Sequence, residues 1–115
     1  MKSKRSKATD IPAKVKLAVW ERDGHRCIIC GSTIASPNAH YVSRAHGGLG
    51  IERNIVTLCT TNIDGKRGCH DRYDNSDERD RFRRLIREYL QECYPDWNED
   101  DLVYDKWGWT YGEKS

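Results

Sequence analysis

No run of apolar residues in this 115-residue chain approaches the length that crosses a bilayer, which excludes a membrane-spanning helix. Hydrophobic residues are also scarce, at 37% against 33% charged, so a large buried core is excluded. A domain this small then needs a disulfide framework or a structural metal. The opening Met1-Lys2-Ser3-Lys4-Arg5-Ser6-Lys7 has charge but no apolar stretch behind it, so no secretory signal is expected. Repeats and low-complexity tracts are absent. Five cysteines are an odd number, and metal-bound thiolates in a reducing cytoplasm suit them better than a secreted disulfide scaffold.

The net charge of +2 says little, but its distribution is polarised. Residues 1–26 carry eight Lys/Arg against three Asp/Glu, whereas residues 94–115 carry two against six. This divides the chain into a basic flexible arm (1–9), one domain (10–95) and an acidic, aromatic tail (96–115), with the basic end suited to phosphates. A simple solvated terminus explains residues 1–8 equally well.

Local signals place the elements. Thr9 or Asp10 is read as the cap of a first helix, with Pro12 in its first turn and Gly24 as its stop. Ser32–Asn38 reads as a loop, Ala39–Val42 as a short strand, Gly47-Gly48-Leu49-Gly50 as a turn and Ile55–Leu58 as a second strand. Cys69-His70 opens a helical turn. Ser76 is the expected cap of the clearest helix, whose Phe82, Leu85, Ile86, Tyr89, Leu90 and Cys93 form one apolar stripe ended by Pro95. The tail tryptophans, Trp97 among them, are expected to pack on the core more than to stack on bases.

Chemistry concentrates in four cysteines. Cys27-Ile28-Ile29-Cys30, followed by Gly31, has the form of a metal knuckle, and Cys59 with Cys69 supplies the other two corners of a tetrahedron. In so small a domain, metal binding and folding should be coupled. Cys93 falls on the apolar stripe and reads as a core residue. Beside these hooks stand His40, Asn54 and His70.

The series Arg22-Asp23-Gly24-His25-Arg26-Cys27-x-x-Cys30-Gly31, His40, Gly47-Gly48, Asn54-Ile55-Val56-Thr57-Leu58-Cys59 and Cys69-His70 resembles the HNH endonucleases, over roughly residues 15–75. It is similar to the small stand-alone members found in bacteriophages. The resemblance implies a small α+β fold: a ββα-metal hairpin and helix with a structural four-cysteine zinc site and flanking helices. It implies His40 as general base, Asn54 orienting the hairpin or His40, and His70 binding a catalytic Mg²⁺, Mn²⁺ or other divalent ion. A neutral imidazole suits proton removal from water near pH 7, and a cation suits the charge on a phosphorane.

One departure stands out: many members carry a metal-binding Asp or His immediately before the strand histidine, and here that residue is Ala39. Asp74, one turn after His70, is a candidate replacement, although a solvated carboxylate is the plainer reading; Asp71, His46 and Asn38 are less attractive. Ala39 also leaves open that His40 itself binds the metal, or that activity is weak.

Arg44, Arg53, Lys66, Arg67 and Arg72 surround the expected site and are candidate phosphate ligands on DNA. Nothing resembles a base-reading module, so low sequence specificity and strong salt dependence are expected. The resemblance suggests phage DNA processing or packaging, in the host cytoplasm if the chain is phage-encoded; terminase or portal proteins are candidate partners, and a monomer or weak dimer is expected. The competing readings are a non-catalytic zinc-bound DNA-binding or packaging-adaptor protein, and an interaction protein whose tail docks a larger partner.

Overall fold

The computed structural model describes residues 4–61, 65 and 67–104. Lys66 and the distal tail with Trp107, Trp109 and Tyr111 lie outside the described residues. The architecture is α+β: helices α1 (Lys4–Thr9) and α2 (Ala13–Arg22), a two-stranded antiparallel sheet of β1 (Ala35–His40) and β2 (Ile55–Cys59), then α3 (Cys69–Asn75) and α4 (Arg79–Cys93). The order β1, β2, α3 is that of a hairpin followed by a helix, and a long connection of residues 41–54 closes the hairpin.

Pairing runs Ala35 to Cys59, Ser36 to Leu58, Ala39 to Val56 and His40 to Ile55. Between Ser36 and Ala39, two residues (Pro37 and Asn38) oppose one (Thr57), which is a β-bulge. The bulge extends β1 back into the segment read as a loop, and Pro37 is tolerated because a bulge releases its residue from the ladder. It also shifts the side-chain alternation by one, so Ala39 is buried at 1% exposure while His40 is only half-buried. All five β2 residues are buried. The Thr57 amide donates to Asp23 Oδ2 at 2.8 Å and its carbonyl accepts from Ile28 N at 3.1 Å.

Helix α4 lays the expected stripe on the core. Phe82, Ile86 and Leu90 are fully buried, with Leu85, Tyr89 and Cys93 at its margins. It starts at Arg79, three residues after the expected cap. Ser76 Oγ still accepts the Glu78 amide at 3.1 Å while donating to Arg72 O at 2.5 Å, so this serine splices α3 to α4.

Three expectations need correction. Residues 4–9 form a helix where a basic arm was read, and Thr9 is buried inside the domain. The N-cap of α2 is consequently Pro12, since Thr9 and Asp10 end α1. The boundary read at residue 96 is one of composition and not of packing: Leu102 is fully buried, and Trp97 packs on the core as expected, edge-on against Tyr41 at 5.5 Å with its Nε1 donating to Arg53 O at 2.7 Å. Among the described residues no helix is long and apolar enough to cross a membrane.

A buried ionic clasp joins the first and last thirds. Arg22 donates to Asp23 (2.7 and 3.2 Å), to the Ile55 carbonyl (2.7 Å) and to Tyr94 Oη (3.2 Å). Burial works against its charge, but the hydrogen bonds to Asp23 and Tyr94 outweigh that and raise its pKa. Tyr89 Oη donates to Asp23 as well, at 2.6 Å.

Candidate functional site

Cys27, Cys30, Cys59 and Cys69 converge, with all four Sγ atoms within 4.8 Å of one another. The Cys30 and Cys59 sulfurs are 3.5 Å apart, close to the ~3.8 Å edge of a tetrahedron with Zn–S bonds of about 2.3 Å. Local backbone builds the cradle. The Ile29 amide points at Cys27 Sγ (3.4 Å) and the Cys69 amide at Cys59 Sγ (3.2 Å). Gly31, at φ +84°, takes the left-handed conformation that turns its own amide back to Cys27 O at 3.0 Å.

Burial, with the neighbouring thiols, pushes the Cys59 thiol up to about 11 and the Cys69 thiol up as well. Three buried sulfurs and a half-buried one at this spacing cannot share negative charge without a cation among them. The donor set and its geometry therefore fit a metal ion such as zinc. Among the described residues it is the only group of three or more Cys, His, Asp or Glu side chains placed for one ion, and Cys93 lies outside it.

Asn54 is fully buried at the end of the hairpin connection. Its Oδ1 accepts from Val42 N at 2.8 Å, and its Nδ2 donates to Val42 O at 3.1 Å and Leu49 O at 2.8 Å. Its own carbonyl accepts from Tyr41 N at 2.8 Å. The amide thus ties residues 41–49 to the base of β2; its side chain makes no hydrogen bond to His40.

His40 ends β1, and its Nε2 donates to the Thr9 carbonyl at 2.9 Å. Its pKa is held below the ordinary histidine value. Burial is the largest cause; the charges of Arg44 and His70 add to it, while the Thr9 carbonyl and Asp10 oppose it. His40 is therefore neutral at pH 7. His70 lies in the first turn of α3, and its Nε2 is 3.2 Å from Asp74 Oδ2. Helix α3 is docked against the end of β1 by Tyr73 Oη, which donates to Tyr41 O at 2.9 Å. The fold so brings His70 near enough to His40 for its charge to act on the His40 ring.

Ala39 contributes no ligand and its side chain faces Val56 in the core. Of the other candidates, Asp71 pairs with Arg67 and Asn75, His46 Nδ1 bonds Ser43 Oγ at 2.7 Å, and Asn38 is exposed. Of these candidates it is Asp74 that pairs with His70, at 3.2 Å.

The four described arginines proposed for DNA all have acidic partners. Arg44 pairs with Asp10, Arg53 with Asp96 (2.9 Å), Arg67 with Asp71, and Arg72 with Glu78 (2.5 and 2.8 Å). Arg72 and Arg81 together hold the Glu78 carboxyl down at about 2. Sequence reading missed Thr9 and Asp10 as neighbours of His40. The contact uses a main-chain carbonyl, which any residue type supplies, so composition and spacing carry no trace of it. Compared with known proteins, the chain matches no family model, no curated protein and no solved structure at a significant level.

Proposed function

We propose that this protein is a divalent-metal-dependent DNA endonuclease of the HNH type, with zinc in the four-cysteine site as a structural clamp. The observation that carries the reading is the placement of His40 at the end of β1 and of the His70–Asp74 pair in α3, in ββα order, with α3 docked on the end of β1 through Tyr73 Oη. The 3.2 Å between His70 Nε2 and Asp74 Oδ2 is close to the ~3.0 Å between adjacent ligands of an octahedral ion with bonds of about 2.1 Å. Two protein ligands, with water and phosphate filling the rest, suit Mg²⁺ or Mn²⁺. Such an ion would stabilise charge on the phosphorane. His40 takes a proton from the attacking water.

Asn54 holds the connection that carries Tyr41 and Val42, and so keeps the end of β1 in place. The arginines around the site are in surface ion pairs, which solvent screens, and a DNA phosphate can displace those carboxylates. Binding through them carries no base readout, so cutting should be weakly sequence-selective and strongly salt-dependent.

The test is plasmid cleavage with Mg²⁺, Mn²⁺ or Ni²⁺, comparing wild type with His40→Ala and His70→Ala. Both variants should lose at least ~100-fold in rate, in the range removed with a general acid–base or metal ligand. Equal cutting by all three proteins would sink the site assignment.

A second reading, a zinc-clamped DNA-binding or packaging-adaptor protein without turnover, draws on the burial of Ala39, which leaves the expected ion one ligand short. Wild type that binds DNA without cutting it under any of these metals would establish that reading instead. Terminase and portal proteins remain the partners to test under either reading.

A further inference from the structure

We infer that the segment Ala8–Ile11, which precedes the hairpin by some 25 residues, is the positioning element of His40, fixing its tautomer through the Thr9 carbonyl. The inference rests on the nuclease reading for its catalytic meaning, but the contact itself is structural. Four observations seat the segment. Thr9 is 3% exposed. The Gly50 amide donates to Ala8 O at 2.9 Å. Arg44 pairs with Asp10 across the site. Gly50 leaves no room for a side chain, since a Cβ there would meet Asp10 O at 1.9 Å and Ile11 Cα at 3.0 Å.

The chemistry follows from which nitrogen carries the proton. A carbonyl oxygen only accepts, so the 2.9 Å contact requires Nε2–H on His40. Nδ1 then holds the lone pair, and among the described residues no hydrogen bond is made to it. In the hydrolytic step a water proton passes to Nδ1 as the water oxygen forms the new bond to phosphorus. The P–O3′ bond breaks, and the leaving oxygen takes a proton from solvent. With the Thr9 carbonyl withdrawn, the ring is free to rotate and to exchange tautomers, so only part of the population presents a base. Thr9 and Asp10 touch no reacting atom in this scheme; they act through His40.

The discriminating variants are Gly50→Ala, which pushes the segment off its seat, and Asp10→Ala, which removes its pair with Arg44 without touching the core. The readouts are zinc content, plasmid cleavage and the nitrogen-15 NMR signals of the His40 ring, assigned with His40→Gln. The expected result is wild-type His40 as the Nε2–H tautomer. In Gly50→Ala, one zinc per chain is retained, the tautomer signature is lost and cleavage falls about 10-fold or more; Asp10→Ala shows a smaller change in the same direction.

A wild-type His40 protonated on Nδ1 would overturn the inference whatever the cleavage data say. Faster cleavage when the segment is displaced would overturn it too, and would make the segment a cap over the site. So would a fall in cleavage with the tautomer unchanged in both variants. Wild type that cuts nothing yet shows the Nε2–H tautomer, lost in Gly50→Ala, would support the contact and defeat only the nuclease reading.

Discussion

Asn54 grips Val42 with both ends of its amide, Oδ1 taking the Val42 amide at 2.8 Å and Nδ2 reaching the Val42 carbonyl at 3.1 Å. A side chain that imitates a strand partner in this way holds the connection between β1 and β2 as firmly as the ladder holds the strands. Asn54→Ala would leave the Val42 amide and the Val42 and Leu49 carbonyls without this partner in a buried place. At ~1–3 kcal/mol for each group left unsatisfied, with some water entering, a loss of about 3–5 kcal/mol is expected in urea unfolding. Asn54→Asp should be at least as damaging, because it aims a carboxylate oxygen at two carbonyls. An Asn54→Ala midpoint within error of wild type would rule out this anchoring role.

Zinc removal should unfold the domain. Structural zinc binds with an apparent ~10–16 kcal/mol, which matches or exceeds the ~5–15 kcal/mol of a whole domain's stability. Chelation, or Cys59→Ser, is therefore expected to abolish cooperative melting by circular dichroism together with zinc content by mass spectrometry. Because thiols must lose protons to bind, zinc affinity should fall as pH is lowered. Unchanged melting after complete zinc removal would contradict the clamp.

Asp23 holds three partners at once: the Arg22 guanidinium, the Thr57 amide and the Tyr89 hydroxyl. Asp23→Ala would strand a largely buried guanidinium and should cost about 3–5 kcal/mol, the usual penalty for breaking one side of a buried pair. Differential scanning calorimetry would register it, and a drop below 1 kcal/mol would show that Arg22 finds other partners.

The acid limb of cleavage should lie below pH 6.5. His40 has its pKa lowered from 6.5, mainly by burial, so the neutral base persists to lower pH than a free imidazole would allow. By the same linkage, His40 favours the fold above pH 6.5 and that contribution is lost as pH falls through its depressed value. A pH profile of the cleavage rate at saturating metal reads the limb directly. A limb at pH 7 or above would assign the base to another group.

Sequence by itself determined the elements whose signals are local. The four cysteines were legible because metal ligands are restricted to a few residue types, and the Cys-x-x-Cys spacing forms a knuckle without help from distant chain. The α4 stripe and the apolar run of β2 were legible for a similar reason: a 3.6-residue period and a short continuous apolar run each specify one burial pattern. His40, Asn54 and His70 stood out as residue types, but their surroundings did not.

Tertiary structure alone decided those surroundings. The bulge at Pro37–Asn38 chose which of Ala39 and His40 enters the core, and a shift of one residue in a strand reverses its faces. Arg44 met Asp10 across 34 positions and Arg53 met Asp96 across 43, pairings that no local window contains. The Thr9 carbonyl reached His40 across 31 positions with a main-chain atom common to every residue. Ligand chemistry and periodicity are written in side chains one turn or strand at a time. Which main-chain group faces a histidine is settled only when distant segments pack.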